Sequence, residues 1–262
     1  MQLAHALGEE RAFPAQLNFP ASSADVSALL ELTRSGVRTG TEAFGEESHL
    51  NEVIPKPWGY EFRAYVDDFF DVWMLHIDAP HSTSMHVHPR KLTYLICLGG
   101  RGRTQGLEHG VTVTAGSVVR IAPGAFHSTQ NLGDSPLELI EVEVPRNKYD
   151  LMRLRDDYNR AGQSYETQAV DCADALQEIP YLPNASMRAG NPDGRFTFEV
   201  RTGMDLFYRR RPADIFYVPL CVSGVVYSDV EILAGALDPR RPATEKLYLC
   251  ISRAGSITTN GR

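Results

Sequence analysis

Met85-His86-Val87-His88-Pro89-Arg90-Lys91 and, further on, Pro123-Gly124-Ala125-Phe126-His127-Ser128-Thr129-Gln130-Asn131 decide how this chain is read. Residues i and i+2 of an extended strand point to the same face, so His86 and His88 are presented together. His127 adds a third imidazole. It follows Pro123-Gly124, where glycine permits the turn that must reverse the chain before the histidine. Imidazole is the commonest neutral metal ligand, and three of them leave positions open for water or substrate. Six of the eight histidines (His76, His81, His86, His88, His109 and His127) fall between residues 76 and 127. One histidine alone is ordinarily a surface or packed residue. His76, in the apolar run Val72-Trp73-Met74-Leu75, reads as packed, and His81 and His109 read as loop residues. His86, His88 and His127 form a set, and the set reads as a metal site. Asn131 reads as the cap of the next turn.

Short strands surround this stretch. Tyr60 to Val66 and Phe69 to Ile77 flank Asp67-Asp68, a hairpin signal. Leu92 to Leu98 is an apolar run fit for a buried strand, and Gly99, Gly100 and Gly102 permit a sharp turn after it. Val111 to Thr114, Ser117 to Ile121 and Leu137 to Val144 follow. Many short strands at near-regular spacing predict a sandwich or barrel. Upstream, residues 1–20 carry Pro14 and Pro20 and read as a loose arm. Ser22 to Arg34 reads as a helix capped by Ser22 or Ser23, with Asp25 in its first turn. Its expected packed face is Val26, Leu29, Leu30 and Thr33, and Gly36 closes it. Residues 36–53 read as a linker. Downstream of Pro145 a helix is expected from a cap near Asn147 to Gly162. A second is expected over Asp171 to Glu178, ended by Pro180. Strands return at Phe196–Arg201, Asp214–Val218, Val225–Leu233 and Lys246–Ser252.

The run Leu92-Thr-Tyr-Leu-Ile-Cys-Leu-Gly-Gly-Arg101 resembles Lys246-Leu-Tyr-Leu-Cys-Ile-Ser-Arg-Ala-Gly255, a weak internal repeat. Four segments follow: 1–53, an arm and helix; 54–146, the histidine-bearing unit; 147–195, a helical connector; and 196–262, a second unit without histidine. The last segment ends on Thr259-Asn260-Gly261-Arg262, where Asn-Gly reads as a hairpin turn awaiting its return strand. The expectation is that further residues, or a partner subunit, supply that strand.

The 262 residues carry a net charge of −7, which argues against a general nucleic-acid binder. Hydrophobic residues make up 43%, enough for a full core. No apolar run reaches the roughly 18 residues of a membrane span. The N-terminus lacks the basic start and apolar core of a secretory signal. Cys97, Cys172, Cys221 and Cys250 form no Cys-x-x-Cys pair, and Cys97 and Cys250 read as buried thiols. A cytoplasmic protein is expected.

His-x-His followed by Gly116-x6-Pro123-Gly124-x2-His127-x3-Asn131 resembles the two-part signature of the cupin superfamily. The resemblance implies a mainly β fold: a double-stranded β-helix (jelly-roll) barrel with a few flanking helices and, given the repeat, a second cupin-like β unit, making a bicupin. Lys56-Pro-Trp-Gly-Tyr-Glu61 resembles the strand entry of sugar-phosphate cupins of the mannose-6-phosphate isomerase and mannose-1-phosphate guanylyltransferase isomerase-domain type. This likeness spans roughly residues 54–166. It implies a divalent metal (zinc, iron or manganese) on His86, His88 and His127. The family's pattern places a glutamate four or five residues after the second histidine. Leu92 and Thr93 stand there, so the expected ligand set is three neutral imidazoles that bind metal more weakly.

Three functions compete. The first is a metal-dependent isomerase or epimerase of carbohydrate metabolism, with a small-molecule substrate such as a sugar phosphate. The second, favoured by the absent carboxylate, is a three-histidine iron dioxygenase. The third is a non-catalytic sugar-binding cupin. An isomerase needs a base, an acid and a group that polarises the carbonyl. Glu61, Glu141 and Glu143 are candidate bases. Lys91 and Arg120 are candidates for holding a phosphate or carboxylate. The alternatives are a solvated loop for Arg90 and Lys91, a solvent-facing Arg120, and an exterior face for Glu141 and Glu143. Trp58 and Tyr60 read as stacking platforms for a sugar or as core. Arg209-Arg210-Arg211 reads as a solvated turn, with an anion contact or a dimer interface as the alternatives. A homodimer formed through edge strands is expected.

Overall fold

Alternation along the strands sets the architecture in a computed structural model describing residues 17–42, 52–156, 158, 170–171, 187–188, 196–208, 211, 215–220, 233–234, 241–244 and 246–253. The strands are β1 (Leu17–Phe19), β2 (Glu52–Lys56), β3 (Gly59–Val66), β4 (Asp71–Ile77), β5 (Met85–Val87), β6 (Leu92–Gly99), β7 (Arg101–Gln105), β8 (Gly110–Thr114) and β9 (Val118–Ile121). They continue with β10 (Ser128–Asn131), β11 (Leu137–Val144), β12 (Met152–Arg155), β13 (Val170–Asp171), β14 (Met187–Arg188), β15 (Phe196–Thr202), β16 (Ile215–Pro219), β17 (Leu233–Ala234) and β18 (Leu247–Arg253). The helices are α1 (Ser23–Arg34) and the short α2 (Gly203–Tyr208).

One large sheet runs β1-β9-β6-β11-β4-β3-β2-β13. Its inner face carries Trp73, Leu75, Leu95, Cys97, Val119, Ile121, Leu137 and Leu139, packed with Phe19, Ile54 and Trp58. Its outer face carries Phe62, Met74, Tyr94, Ile96, Val118, Ile140 and Val142. The outer face is covered by Phe198 and Val200 of β15, Val218 of β16, and Leu247 and Leu249 of β18. A sheet apolar on both faces must bury both, and the run of non-alternating apolar residues in β6 reflects that.

The inner face is closed by a second layer. It contains β10-β7-β8 and β12-β5, linked by bridges between Ser82 and Gln130 and between His86 and His127. The two layers make the double-stranded β-helix, or jelly roll. The repeat noted in sequence maps onto comparable places: β6 lies between β9 and β11, and β18 between β15 and β16.

Lys56-Pro-Trp-Gly-Tyr-Glu61 is the turn joining β2 to β3. Gly59 has φ +140, and a Cβ there would stand 2.1 Å from the His76 carbonyl oxygen, so only glycine fits the approach of β3 to β4. Trp58 is buried in the inner core. Tyr60 packs on the outer face and stacks on His76 with ring centroids 4.4 Å apart.

Several expectations are corrected. The end of the N-terminal arm is docked, because β1 pairs in parallel with β9 and Phe19 is buried. Ser22 caps α1 through a capping box with Asp25, as expected. The packed face, however, is Ala28, Leu29 and Leu32, against Val87, Phe126 and Met152; Val26 and Leu30 are exposed. The helix expected after Asn147 is replaced over Met152–Arg155 by β12, antiparallel to β5. Met152 and Leu154 alternate with Arg153 and Arg155, a period of two that suits a strand. Pro14, Gly162, Arg209, Arg210 and residues 172–180, 221–232 and 259–262 lie outside the described residues. Among the described residues no helix is long and apolar enough to cross a membrane.

Candidate metal centre and its cavity

The backbone brings the histidines together before their side chains act. His86 and His127 face each other across strands and exchange both hydrogen bonds, N–H of His86 to O of His127 at 3.0 Å and the reverse at 2.8 Å. His88 lies two residues along from His86 on the same side, and its carbonyl accepts from Gly124 N–H at 2.9 Å. The ring centroids stand 4.4 Å (His86–His127), 5.0 Å (His86–His88) and 5.4 Å (His88–His127) apart.

Each ring has one nitrogen committed to a backbone carbonyl. His86 Nδ1 faces Ser84 O at 2.8 Å, His88 Nδ1 faces Asp150 O at 2.7 Å, and His127 Nδ1 faces Ala125 O at 3.1 Å. A carbonyl only accepts, so Nδ1 must carry the proton and Nε2 keeps its lone pair. His127 Nε2 is buried without a hydrogen-bond partner. One ligand atom from each ring lies within 4.8 Å of the other two. Burial holds all three imidazoles neutral: His127 falls to about 4, and His86 and His88 fall well below the usual range, helped by the neighbouring histidines and Lys91. Convergent, neutral, tautomer-fixed imidazoles fit a divalent metal.

β11 adds carboxylates to the same place. Glu143 Oε1 is 3.3 Å from His88 Nε2, and its Oε2 is 2.6 Å from Lys91 Nζ. His88, Glu141 and Glu143 form a second group whose ligand atoms lie within 4.8 Å of one another. The three imidazoles form a group without a carboxylate, and the two glutamates stand in a separate group beside His88. The loop expected for Lys91 is corrected: it is 2% exposed, inside the barrel rather than in a solvated loop. Burial opposes its charge, but Glu143 outweighs that and raises its pKa. Burial and Glu143 push Glu141 well above the usual carboxylate range. Burial raises Glu143 as well, to about 7, although Lys91 draws it down.

A cavity of about 70 Å³ opens over these groups. Its walls include Trp58, Trp73 and Leu95, with Glu61, Glu141 and Glu143 as acids and Lys56, Lys91, Lys148 and Arg153 as bases. Lys56 Nζ lies 3.2 Å from Glu61. Sequence reasoning passed over Lys148 and Arg153; the Met152–Arg155 alternation was the signal available for Arg153. Arg120 is not at the cavity. On β9 it lies on the side of Val118, beside Tyr94 in register, while Val119 and Ile121 face inward. Arg90 stays at the surface, bound to Asp150. His76 is buried and bound to Glu138 at 2.6 Å, His81 is near Tyr158, and His109 packs on Phe19.

The support of His127 comes from far away in sequence. Asp25 Oδ2 accepts from Ser22 N and Oγ, both at 2.7 Å, while Oδ1 accepts from Phe126 N at 3.0 Å. One carboxylate thus ends α1 and pins the residue before His127. Asp25→Ala is expected to cost about 1–3 kcal/mol, from the lost cap and an orphaned buried N–H. It should also weaken metal binding about 10-fold, as loss of a ligand's support does. Urea midpoints and a metal titration of the folded variant check the two parts.

Residues 73–143 match the family described as Cupin domain, and the chain carries a cupin jelly roll. A mannose-1-phosphate guanylyltransferase of Klebsiella pneumoniae is 25% identical over 140 residues, which is 53% of this chain and 28% of that protein. The xanthan biosynthesis protein XanB of Xanthomonas campestris is 25% identical over 116 residues, 44% of this chain and 25% of that protein. The match thus spans about a quarter of the length of these curated relatives. Among solved structures, an uncharacterized conserved protein with a double-stranded β-helix domain from Klebsiella pneumoniae aligns over 47% of this chain and 94% of its own, at 19% identity and TM-score 0.35.

Proposed function

We propose that this cupin is a metal-dependent enzyme acting on a sugar or sugar phosphate, of the isomerase or epimerase type, with His86, His88 and His127 holding a divalent zinc, iron or manganese ion. The observation that carries this reading is the commitment of all three Nδ1 atoms to carbonyls, which leaves three Nε2 lone pairs for one ion. When bound, the metal supplies polarisation of a substrate oxygen. The residues around it supply the rest. Glu141, held protonated, donates a proton, and Glu61, on the same wall, accepts one. Lys148 and Arg153 bring positive charge to the cavity and suit a phosphate or carboxylate. Lys91 is removed from that role by its bond to Glu143. Trp58 and Trp73 give apolar walls for a sugar face. The sugar-nucleotide setting of the curated relatives agrees with this reading. In the same reading β15, β16 and β18 are what is described of a second, metal-free cupin-like unit.

The test is proton exchange. The protein, loaded in turn with Zn²⁺, Mn²⁺ and Fe²⁺, is incubated in D₂O with aldose and ketose phosphates and followed by NMR. Deuterium entering the carbon beside the carbonyl is the expected outcome. Oxygen consumption by the iron form without exchange would instead favour the dioxygenase reading. Ligand-induced shifts with neither reaction would leave a sugar-binding cupin.

A further inference from the structure

His76 takes no part in the metal centre. On β4 it alternates with Trp73, Leu75 and Ile77 and lies on the outer face with Met74. Both of its ring nitrogens meet carboxylates: Nδ1 is 2.6 Å from Glu138 on β11, and Nε2 is 3.2 Å from Asp78 at the end of its own strand. Tyr60 of β3 stacks on the ring, with centroids 4.4 Å apart. These three are the titratable groups that face His76 among the described residues. The cavity histidines each turn one nitrogen to a carbonyl; His76 turns both to acids. A carboxylate only accepts, so the two contacts are satisfied together only by the imidazolium, with a proton on each nitrogen. The face of Tyr60 suits a cation as well.

Asp78 carries two pieces of the cavity wall. Its N–H donates to Trp58 O at 2.9 Å, and its carbonyl accepts from His81 N–H at 2.9 Å. The first bond holds the turn that delivers Trp58 to the cavity; the second starts the loop that leads to Thr83 and Ser84, on the same wall. Gly59, next to Trp58, lies against the His76 carbonyl with no room for a side chain, so a shift at the end of β4 passes into that turn. We infer that His76 is a positioning residue of the cavity: as a cation it ties Asp78 to Glu138 and so sets Trp58, and on losing its proton it lets Asp78 go. The inference goes beyond the proposed reaction and needs no metal. A neutral His76 keeps one N–H. That proton stays with Glu138, the closer partner, whose side chain is 14% exposed, while Asp78, at 56%, turns to water. Burial opposes the charge on His76, but Glu138 and Asp78 outweigh it and raise its pKa. A group so raised contributes its stability below its unfolded pKa and loses it as pH rises through the folded value, so the release lies on the alkaline side.

Trp58 and Trp73 are the chain's two tryptophans, and both line the cavity, so 5-fluorotryptophan reports on it at two points. The full chain, without added metal, is titrated from roughly pH 5.5 to 9.5, a range that brackets a raised imidazole. Fluorine NMR reads the tryptophans, with Trp58→Phe assigning the lines, and nitrogen-15 NMR reads the His76 ring. The Trp58 line is expected to shift in step with the loss of the His76 proton, at one midpoint above the ordinary 6.5, and by more than the Trp73 line. Two variants isolate the cause. His76→Gln is neutral throughout and keeps a donor for Glu138. Asp78→Ala removes a side chain exposed enough that the fold does not depend on it. In both, Trp58 is expected to hold its alkaline position at every pH. Titration of Glu143 inside the cavity would survive both substitutions and is told apart that way. A Trp58 line that stays put while His76 titrates, a Trp58 transition that survives either variant, or a His76 that keeps its proton across the range overturns the inference and leaves the cluster a passive ion triad.

Discussion

The His86→Ala/His88→Ala double variant is expected to purify without metal and with its fold intact. Two of three imidazoles are then gone, and the third, His127, cannot hold a divalent ion alone against water. Loss of one ligand's outer hydrogen bond already costs about 10- to 100-fold in affinity, so loss of two ligands should exceed 100-fold. The fold should survive because both side chains face a cavity rather than the apolar core. What they leave behind are the carbonyls of Ser84 and Asp150, which water in the enlarged cavity can satisfy. The backbone exchange between His86 and His127 does not depend on the side chain and remains. Plasma mass spectrometry of untagged protein, beside the unmodified chain, reads the metal. Far-ultraviolet circular dichroism and a urea curve read the fold. A double variant that keeps near-stoichiometric metal would place the ion elsewhere and remove the basis of the proposed chemistry.

The triad was legible because its information is local. Two residues apart on a strand is a statement about one face, and Pro123-Gly124 before His127 marks the turn that delivers it. Register and burial are not local, and there the sequence was silent or misleading. Pro89-Arg90-Lys91 has the composition of a solvated loop, yet Lys91 is buried, because its partner Glu143 arrives on a strand that is distant in sequence. Val118-Val119-Arg120-Ile121 is apolar around Arg120, but which face it takes follows from pairing with β6. Glu141 and Glu143 alternate in a way that fits exterior or interior equally, and only the closure by β5 and β10 makes their side the inside. Asp25 was read correctly as a first-turn acid of α1. Its bond to Phe126 N–H, beside His127, has no sequence signature. The strand β12 was missed for another reason. Asn147 does accept from Glu42 N–H and from Tyr149 N–H, so its capping chemistry is real, but it serves a loop that ends in a strand.

Arg63→Met is expected to be the most destabilising single change in the described residues, at about 3–5 kcal/mol, the usual cost of breaking a buried ion cluster from one side. Arg63 is fully buried on the inner face of β3. Its guanidinium holds Glu42 with two bonds, 2.8 and 3.1 Å, and Asp71 at 2.6 Å, and lies 5.1 Å from the centre of the Trp73 ring. Trp73 Nε1 donates to the same Asp71 oxygen, and Glu42 also accepts from Lys148 N–H. Four segments meet here: the stretch after α1, β3, β4 and the loop before β12. Trp73 and Lys148 both line the cavity over the three histidines. One positive charge serves two carboxylates, so the mutations are not equivalent. Without Arg63 two buried anions face each other. Glu42→Gln leaves a balanced Arg63–Asp71 pair, and should cost only about 1 kcal/mol, the value of an ordinary hydrogen bond. The pH dependence carries the sign. Burial pushes the Glu42 carboxyl up, but the hydrogen bond and charge of Arg63 pull it below its usual value on balance. A depressed acid stabilises the fold above its unfolded pKa and loses that contribution as pH falls through the folded value. In Arg63→Met the largest opposition to burial is gone, leaving only the Lys148 N–H and Arg146; the Glu42 carboxyl rises and the sign reverses: protonation relieves it, and stability is lost as pH rises. The gap between the two proteins should therefore be widest at pH 7 and narrow toward pH 4. Urea midpoints at both values read it. A gap under about 1 kcal/mol at pH 7, or one that widens in acid, would show that the cluster does not hold the chain as its geometry implies.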